Sequence, residues 1–226
     1  MTEVAFDGFV RGVPAPFATA GERPWKNAMQ THLAAVRPLS EAAFVELAFA
    51  IAPATGYAVG ADLDNFCEPV FSVLANRLGW FGASRPNILA FRARKRLAEP
   101  TGCRIRISAE RWQGSWVEGV DLLDEGWHGH LPGSARDASF ARWVAAAMSG
   151  PAPTWAALGV DLRFSGRVNL GDIATGPLKH VIDCLYPLLG GVAGAPNDAR
   201  VSVLEAATLD GQVSGAVHVR VVELPV

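Results

Sequence analysis

Cysteine is scarce. Cys67, Cys103 and Cys184 are the only three in 226 residues; they are odd in number, isolated, and form no C-x-x-C pair. That pattern excludes a disulfide framework and a zinc cluster of paired cysteines, and suits buried thiols in a reducing cytoplasm. Long apolar runs are missing too. The longest, 42–54, is broken by Glu46 and Pro53 and falls short of the ~20 residues a membrane span needs, so no membrane partner is expected. The first 13 residues carry Glu3 and Asp7 and no basic stretch leading into an apolar run, so no secretory signal is expected. A Walker loop, a G-x-G-x-x-G after a strand and a G-x-S-x-G are all absent, which argues against nucleotide-cofactor and hydrolase classes built on them. His128 and His130 would give half a metal site, but no third ligand stands at a supporting spacing, and they read as loop histidines.

What the chain does have is 50% hydrophobic residues and 19% charged ones, enough for a packed core. Its net charge of −2 conceals an asymmetry. Residues 1–109 hold 12 basic and 9 acidic groups, residues 110–226 hold 8 and 13, and any surface for a polyanion belongs to the first half.

Apolar periodicity gives a coarse plan. A strand is expected at 4–10, a loop at 12–24, and a helix opening at Pro24 with Trp25, Met29, Leu33 and Val36 on one face, ended by Pro38. A buried strand follows at 44–51. Next, 87–97 and 102–107 read as a hairpin. Arg92, Arg94 and Arg96 alternate with apolar positions, so their guanidinium groups share one face, and Arg104 and Arg106 add to it. Such a face is either a solvated exterior or a surface for phosphates, which arginine suits.

Between these segments lies Ala61-Asp62-Leu63-Asp64-Asn65-Phe66-Cys67-Glu68-Pro69, joining two closely spaced carboxylates to the start of an amphipathic helix. In an extended segment Asp62 and Asp64 would point to one side, with Asn65 as a cap or further oxygen ligand. Pro69 is expected in the first turn. Capping and turn chemistry is the ordinary reading of Asp-x-Asp-Asn. With the strands that follow, however, the stretch resembles the RusA family of Holliday-junction endodeoxyribonucleases, which carries Asp-x-Asp-Asn-x-x-Lys at the head of a helix and a third Asp before the next strand. Asp62, Asp64 and Asn65 match. Glu68 stands in place of the Lys, and Arg85 or a neighbour in place of the third Asp.

Beyond residue 109 the plan begins again, with a strand at 116–123, a loop at 124–137, a helix at 138–148 and a second hairpin at 199–207 and 215–222. The pattern Val160, Leu162, Phe164 repeats Val45, Leu47, Phe49 at an offset of 115, and Asp172, Pro177 and Leu178 fall 108 after Asp64, Pro69 and Val70. Matched order with offsets that change only at loops indicates duplication. The expected fold is therefore α+β, with two tandem RusA-like units, 1–109 and 110–226, each a small mixed sheet with helices. Because that family acts as homodimers, the resemblance implies a monomer working as an intramolecular pseudo-dimer. In the second unit Asp172 matches Asp64, Leu170 replaces Asp62, and Asp198 occupies the third acidic position. Lys179, one turn further along its helix, reads as a surface lysine that would have to stand in for the missing Lys.

The resemblance implies a Mg²⁺-dependent endonuclease acting on branched DNA, with Asp62, Asp64, Asn65 and Glu68 as the catalytic set, Asp62 and Asp64 as metal ligands, and the five arginines contacting phosphates. On this reading the first unit holds the working centre, and Asp172 with Asp198 would have to bind alone in the second. Other expectations from different classes are an inactive relative that binds branched or duplex nucleic acid, and a pure interaction protein.

Overall fold

Eight segments, most of them alternating apolar with polar positions, line up as one mixed sheet. The computed structural model describes residues 4–38, 44–55, 57, 60–80, 88–108, 117–166, 168–209 and 215–225. Its strands are β1 (Val4–Arg11), β2 (Phe44–Ile51), β3 (Ala90–Leu97), β4 (Gly102–Ser108), β5 (Val120–Trp127), β6 (Leu158–Ser165), β9 (Val201–Leu209) and β10 (Val217–Glu223). The two-residue strands β7 (Gly191–Val192) and β8 (Ala195–Pro196) pair separately. The sheet order is β1-β4-β2-β3-β9-β6-β10-β5.

That order reads identically from either edge if β1, β2, β3 and β4 are exchanged with β5, β6, β9 and β10. In each set of four the second strand runs parallel to the third and antiparallel to the fourth. The two sets meet where β3 pairs antiparallel with β9.

The expected hairpins do not form. β3 and β4 follow each other in sequence, but β2 lies between them, and β9 and β10 likewise flank β6. The four residues 98–101 are long enough to cross two inter-strand spacings, about 10 Å, and the apolar run of β2 finds a neighbour on each side. The strand expected at 87–97 begins at Ala90, and the one expected at 116–123 is displaced to 120–127.

Helices α1 (Glu22–Leu33), α2 (Leu63–Ser72), α3 (Ala138–Ala147), α4 (Pro177–Asp183) and α5 (Tyr186–Leu189) complete the plan. The stripes Trp25, Met29, Leu33 on α1 and Phe140, Val144 on α3 are buried. Asp137 caps α3, accepting from Ser139 N and Phe140 N. α2 runs into a π-helical turn at Val73–Arg77. It lies over the middle of the sheet, with Phe66 against Phe49 at 5.4 Å and Phe71 against Phe91 at 5.3 Å between ring centres. α2 starts earlier than expected, which moves Pro69 from the first turn to the interior. Proline has no N–H for the carbonyl of Asn65. That carbonyl accepts from Phe17 N at 2.8 Å instead, tying the 12–24 loop to the head of α2.

One sheet face carries the helices. On it Val45, Leu47, Phe49 and Ile51 of β2 and Val160, Leu162 and Phe164 of β6 are buried in a continuous core. The other face is lined with charge. A transverse row of paired residues crosses every strand: Asp7, Arg106, Glu46, Arg92, Glu205, Asp161, Arg220, Asp124. Cys67, Cys103 and Cys184 are buried free thiols, and burial pushes each of them above the ordinary thiol range. Among the described residues no helix is long and apolar enough to cross a membrane.

Candidate metal centre

Asp62 is the N-cap residue of α2, in extended conformation, and Asp64 is in the first helical turn. The two carboxylates therefore converge across a helix start, and the expected strand-like alternation is not what brings them together. Asp62 makes no capping hydrogen bond with its side chain. Asn65 Nδ2 donates to Asp62 Oδ2 at 2.8 Å, so Asn65 orients the carboxylate.

The third carboxylate comes from the other half of the chain. Asp198 opens a single 3₁₀ turn (Asp198–Arg200) just before β9, and one oxygen each of Asp62, Asp64 and Asp198 lie within 4.8 Å of one another. The β3–β9 pairing at the centre of the sheet sets the loop before β9 beside the loop before α2. Asp64 and Asp198 are buried, Asp62 half-buried. Lys179 of α4 reaches the same point, with Nζ 2.9 Å from Asp64, 2.8 Å from Asp183 and 3.4 Å from Asp198. It is no surface lysine: its side chain is 19% exposed. Behind the cluster Lys95, on the helix side of β3, donates to the carbonyls of Ala61 and Ala199 at 2.7 and 2.5 Å. It thus joins the chain just before Asp62 to the chain just after Asp198.

The electrostatics follow from four carboxylates and two ammonium groups in one partly buried volume. Burial pushes Asp198 up to about 7; Lys179 opposes the shift, while Asp64 and a hydrogen bond shared with Asp62 reinforce it. Burial also raises Asp183 against the pull of Lys179. Lys179 itself is penalised by burial, but Asp64, Asp198 and Asp183 outweigh the penalty and hold its ammonium firmly protonated. Lys95 is lowered by burial, with Asp62, Asp198 and Asp64 opposing.

This donor set fits a hard divalent cation. All the candidate ligands are oxygens, the cluster keeps a negative balance, and Asp64 Oδ2 touches Lys179 at 2.9 Å without making a hydrogen bond among the described residues. Across an octahedral Mg²⁺ shell, ligand atoms are up to about 4.2 Å apart. The 4.8 Å spread thus needs a small side-chain rotation, or one ligand bound through water.

The remaining expected residues lie elsewhere. Glu68 lies one turn along α2 from Asp64 and outside the cluster, 3.4 Å from Lys26, where burial raises its carboxyl against the pull of that lysine. It faces a shallow hollow of about 180 Å³ shared with Asn76, Asn169 and Asp172. Asp172, expected to act with Asp198, is not near it. Asp172 Oδ1 accepts from the backbone and hydroxyl of Thr175, ordinary turn chemistry. Arg85 lies outside the described residues. The five arginines do share the open sheet face, but three are held by carboxylates. Arg92 pairs with Glu46 and Glu205, Arg104 with Asp7, and Arg106 with Glu46. Arg94 and Arg96 are exposed and have no ion-pair partner among the described residues. Sequence reasoning missed Asp183 and Lys95; the i to i+4 spacing of Lys179 and Asp183 was the available signal for the first.

Comparison with protein-family models, with curated proteins and with solved structures finds no match for this chain.

Proposed function

We propose that this protein is a Mg²⁺-dependent endonuclease of branched DNA, built as two RusA-like halves in one chain and holding one composite centre. The observation that carries this reading is the convergence of Asp62 and Asp64 with Asp198 and Lys179, residues more than 100 positions apart, in a single acidic cluster. The repeated strand order and the meeting of the two sets at β3 and β9 support the tandem-unit reading, with residues 1–109 and 110–226 as the halves. Each half supplies what the other lacks. At the positions related by the repeat, Leu170 stands for Asp62, Phe71 for Lys179 and Arg85 for Asp198. No equivalent acidic cluster forms among the described residues, and the hollow beside Glu68 and Asp172 lies at the related place.

A bound divalent cation would supply an activated water and charge for the leaving oxygen. The chain's own groups do the rest. Asp62, oriented by Asn65, and Asp64 present oxygens to the cation, and Asp198 gives up its proton to complete the set. Lys179 places a fixed positive charge beside the scissile phosphate, the role the family gives its signature lysine. Lys95 keeps the two acidic loops in register.

One observation favours a second reading. Lys179 already partly neutralises three carboxylates, an arrangement a catalytically inactive descendant would also keep, leaving a protein that binds nucleic acid without cutting it. A four-way junction labelled on opposite strands, incubated with Mg²⁺, separates the two. The proposal expects single nicks without paired incisions, at least ~100-fold loss in Asp64→Asn and in Asp198→Asn, and little loss in Asp172→Asn. Binding without incision supports the second reading, and paired symmetric incisions would overturn the single centre.

A further inference from the structure

Of the five arginines that β3 and β4 place on the open sheet face, the two without an ion-pair partner among the described residues are neighbours. Arg94 and Arg96 stand two residues apart on the open face of β3, an advance of about 6.6 Å, which matches neighbouring phosphates along a nucleotide chain. Beside them β2 presents only Ala48 and Ala50, so the sheet surface sinks into a trough of about 410 Å³ bounded on its other side by Phe9 and by Arg104, which is paired with Asp7. A second hollow, about 390 Å³, lies around the end of β3 and is lined by Gly60, Lys95, Arg96, Leu97, Asn197 and Ala199. Lys95 points to the helix side and Arg96 to the open side, so this hollow wraps the strand end. Gly60, Asn197 and Ala199 adjoin the loops carrying Asp62 and Asp198. Arg96 lines both hollows.

We propose that these two hollows form one track for a single nucleic-acid strand, running along the arginines of the open sheet face and turning at Arg96 to reach the acidic cluster. The charge of the track suits a phosphate backbone. Leu97, 57% exposed, offers a base an apolar wall at the turn. Arg200, which also lines the second hollow, is committed to the carbonyls of Ala156, Leu189 and Pro153. The bend selects against a duplex. Double-stranded DNA is stiff over about 50 nm, whereas a single strand turns within a nucleotide or two. The substrate feature recognised here is thus a strand separated from its partner, as where a branch point opens. This inference takes its direction from the reading of the acidic cluster as the cutting centre, but its binding test does not depend on that reading.

The test is fluorescence anisotropy in EDTA, without divalent cation, using a labelled oligothymidylate of roughly 15 nucleotides, alone and annealed to its complement. The single strand is expected to bind at least about tenfold tighter than the duplex. Arg94→Ala and Arg96→Ala should each lower that affinity severalfold and reduce the slope of log affinity against log salt by about 0.7. Arg142→Ala, a charge loss on the exposed face of α3, should leave the slope unchanged. Both track arginines are exposed, so unchanged melting temperatures will show that their variants fold. Equal or tighter duplex binding, or an unaltered salt slope in Arg96→Ala, would overturn the track. If the track binds as expected and no cleavage occurs with Mg²⁺, the cutting reading falls and the track stands. Cleavage without single-strand preference has the opposite consequence.

Discussion

Metal binding at the acidic cluster should release one proton, and the release should be confined to a narrow pH range. Asp198 is pushed up to about 7, first by burial and then by Asp64 and Asp62. A cation needs its ionised form, so binding competes with a proton. At pH 6 about nine-tenths of Asp198 is protonated and at pH 8 about one-tenth, so the apparent affinity for Mn²⁺ or Mg²⁺ should rise about tenfold between them. Titration calorimetry in two buffers of different ionisation enthalpy measures the protons directly, with about 0.9 released per ion at pH 6 and about 0.1 at pH 8. The same group shapes the metal-free protein. Its folded pKa lies above the unfolded value, so its contribution to stability is full below about pH 4 and is lost as pH rises to about 7, a change of a few kcal/mol. A cation should therefore stabilise the fold more at pH 8 than at pH 6. Asp198→Asn should flatten both pH dependences. Affinity that does not change between pH 6 and 8, or an Asp198→Asn protein that keeps the proton release, would refute the assignment.

Lys179→Met removes the cation shared by Asp64, Asp183 and Asp198. Loss of one partner from a buried ionic cluster costs about 3–5 kcal/mol, which for a chain of this size lowers the melting temperature by about 6–20 °C. Calorimetric melts should show that loss, with Mn²⁺ restoring more of it than it adds to the unaltered protein; no loss would place Lys179 outside the cluster. Lys95→Met, which unties the loops of Asp62 and Asp198, should weaken Mn²⁺ binding by about tenfold, and unchanged affinity would show that the loops hold without it.

Local and long-range features differ in how much of them the sequence disclosed. The period-two run of 44–51 and the 3.6-period stripes of α1 and α3 are local signals, and they mark those elements directly. Strand partners are not local. Residues 87–97 and 102–107 look like a hairpin because a short link joins them, yet the apolar surface of β2 is better covered when they close on it from both sides. The acidic cluster shows the same division. Asp62, Asp64 and Asn65 form a readable motif because they share one helix start. Asp198 and Lys179 become meaningful only once β9 is placed against β3. Lys179 in particular looks like a solvated helix residue until the opposing half supplies Asp64. The arginine face was visible as an alternation on β3, but the carboxylates that occupy Arg92, Arg104 and Arg106 come from β1, β2 and β9, which no spacing along β3 reveals.

If the chain is two fused units, as proposed, the pair at the centre of the sheet follows from the fusion. Arg92 of β3 and Glu205 of β9 face each other directly. They also hold the same place in their respective sets, since Arg92 lies beside Glu46 as Glu205 lies beside Asp161. In a symmetric dimer, a residue on the two-fold axis meets its own copy. That position would then hold two arginines or two glutamates, and with Glu205 fully buried a like-charge pair would be costly. Once both halves are in one chain, the two copies of the position are free to differ and an Arg–Glu pair can form. The same freedom allows Asp62 and Leu170, or Lys179 and Phe71, to diverge without damaging a second identical site. The ion pair at the seam and the single composite centre are, on this reading, two consequences of one fusion. In the proposed two-unit reading the seam pair would also work against homodimers assembled from either half alone, because each would bring like charges together at the axis.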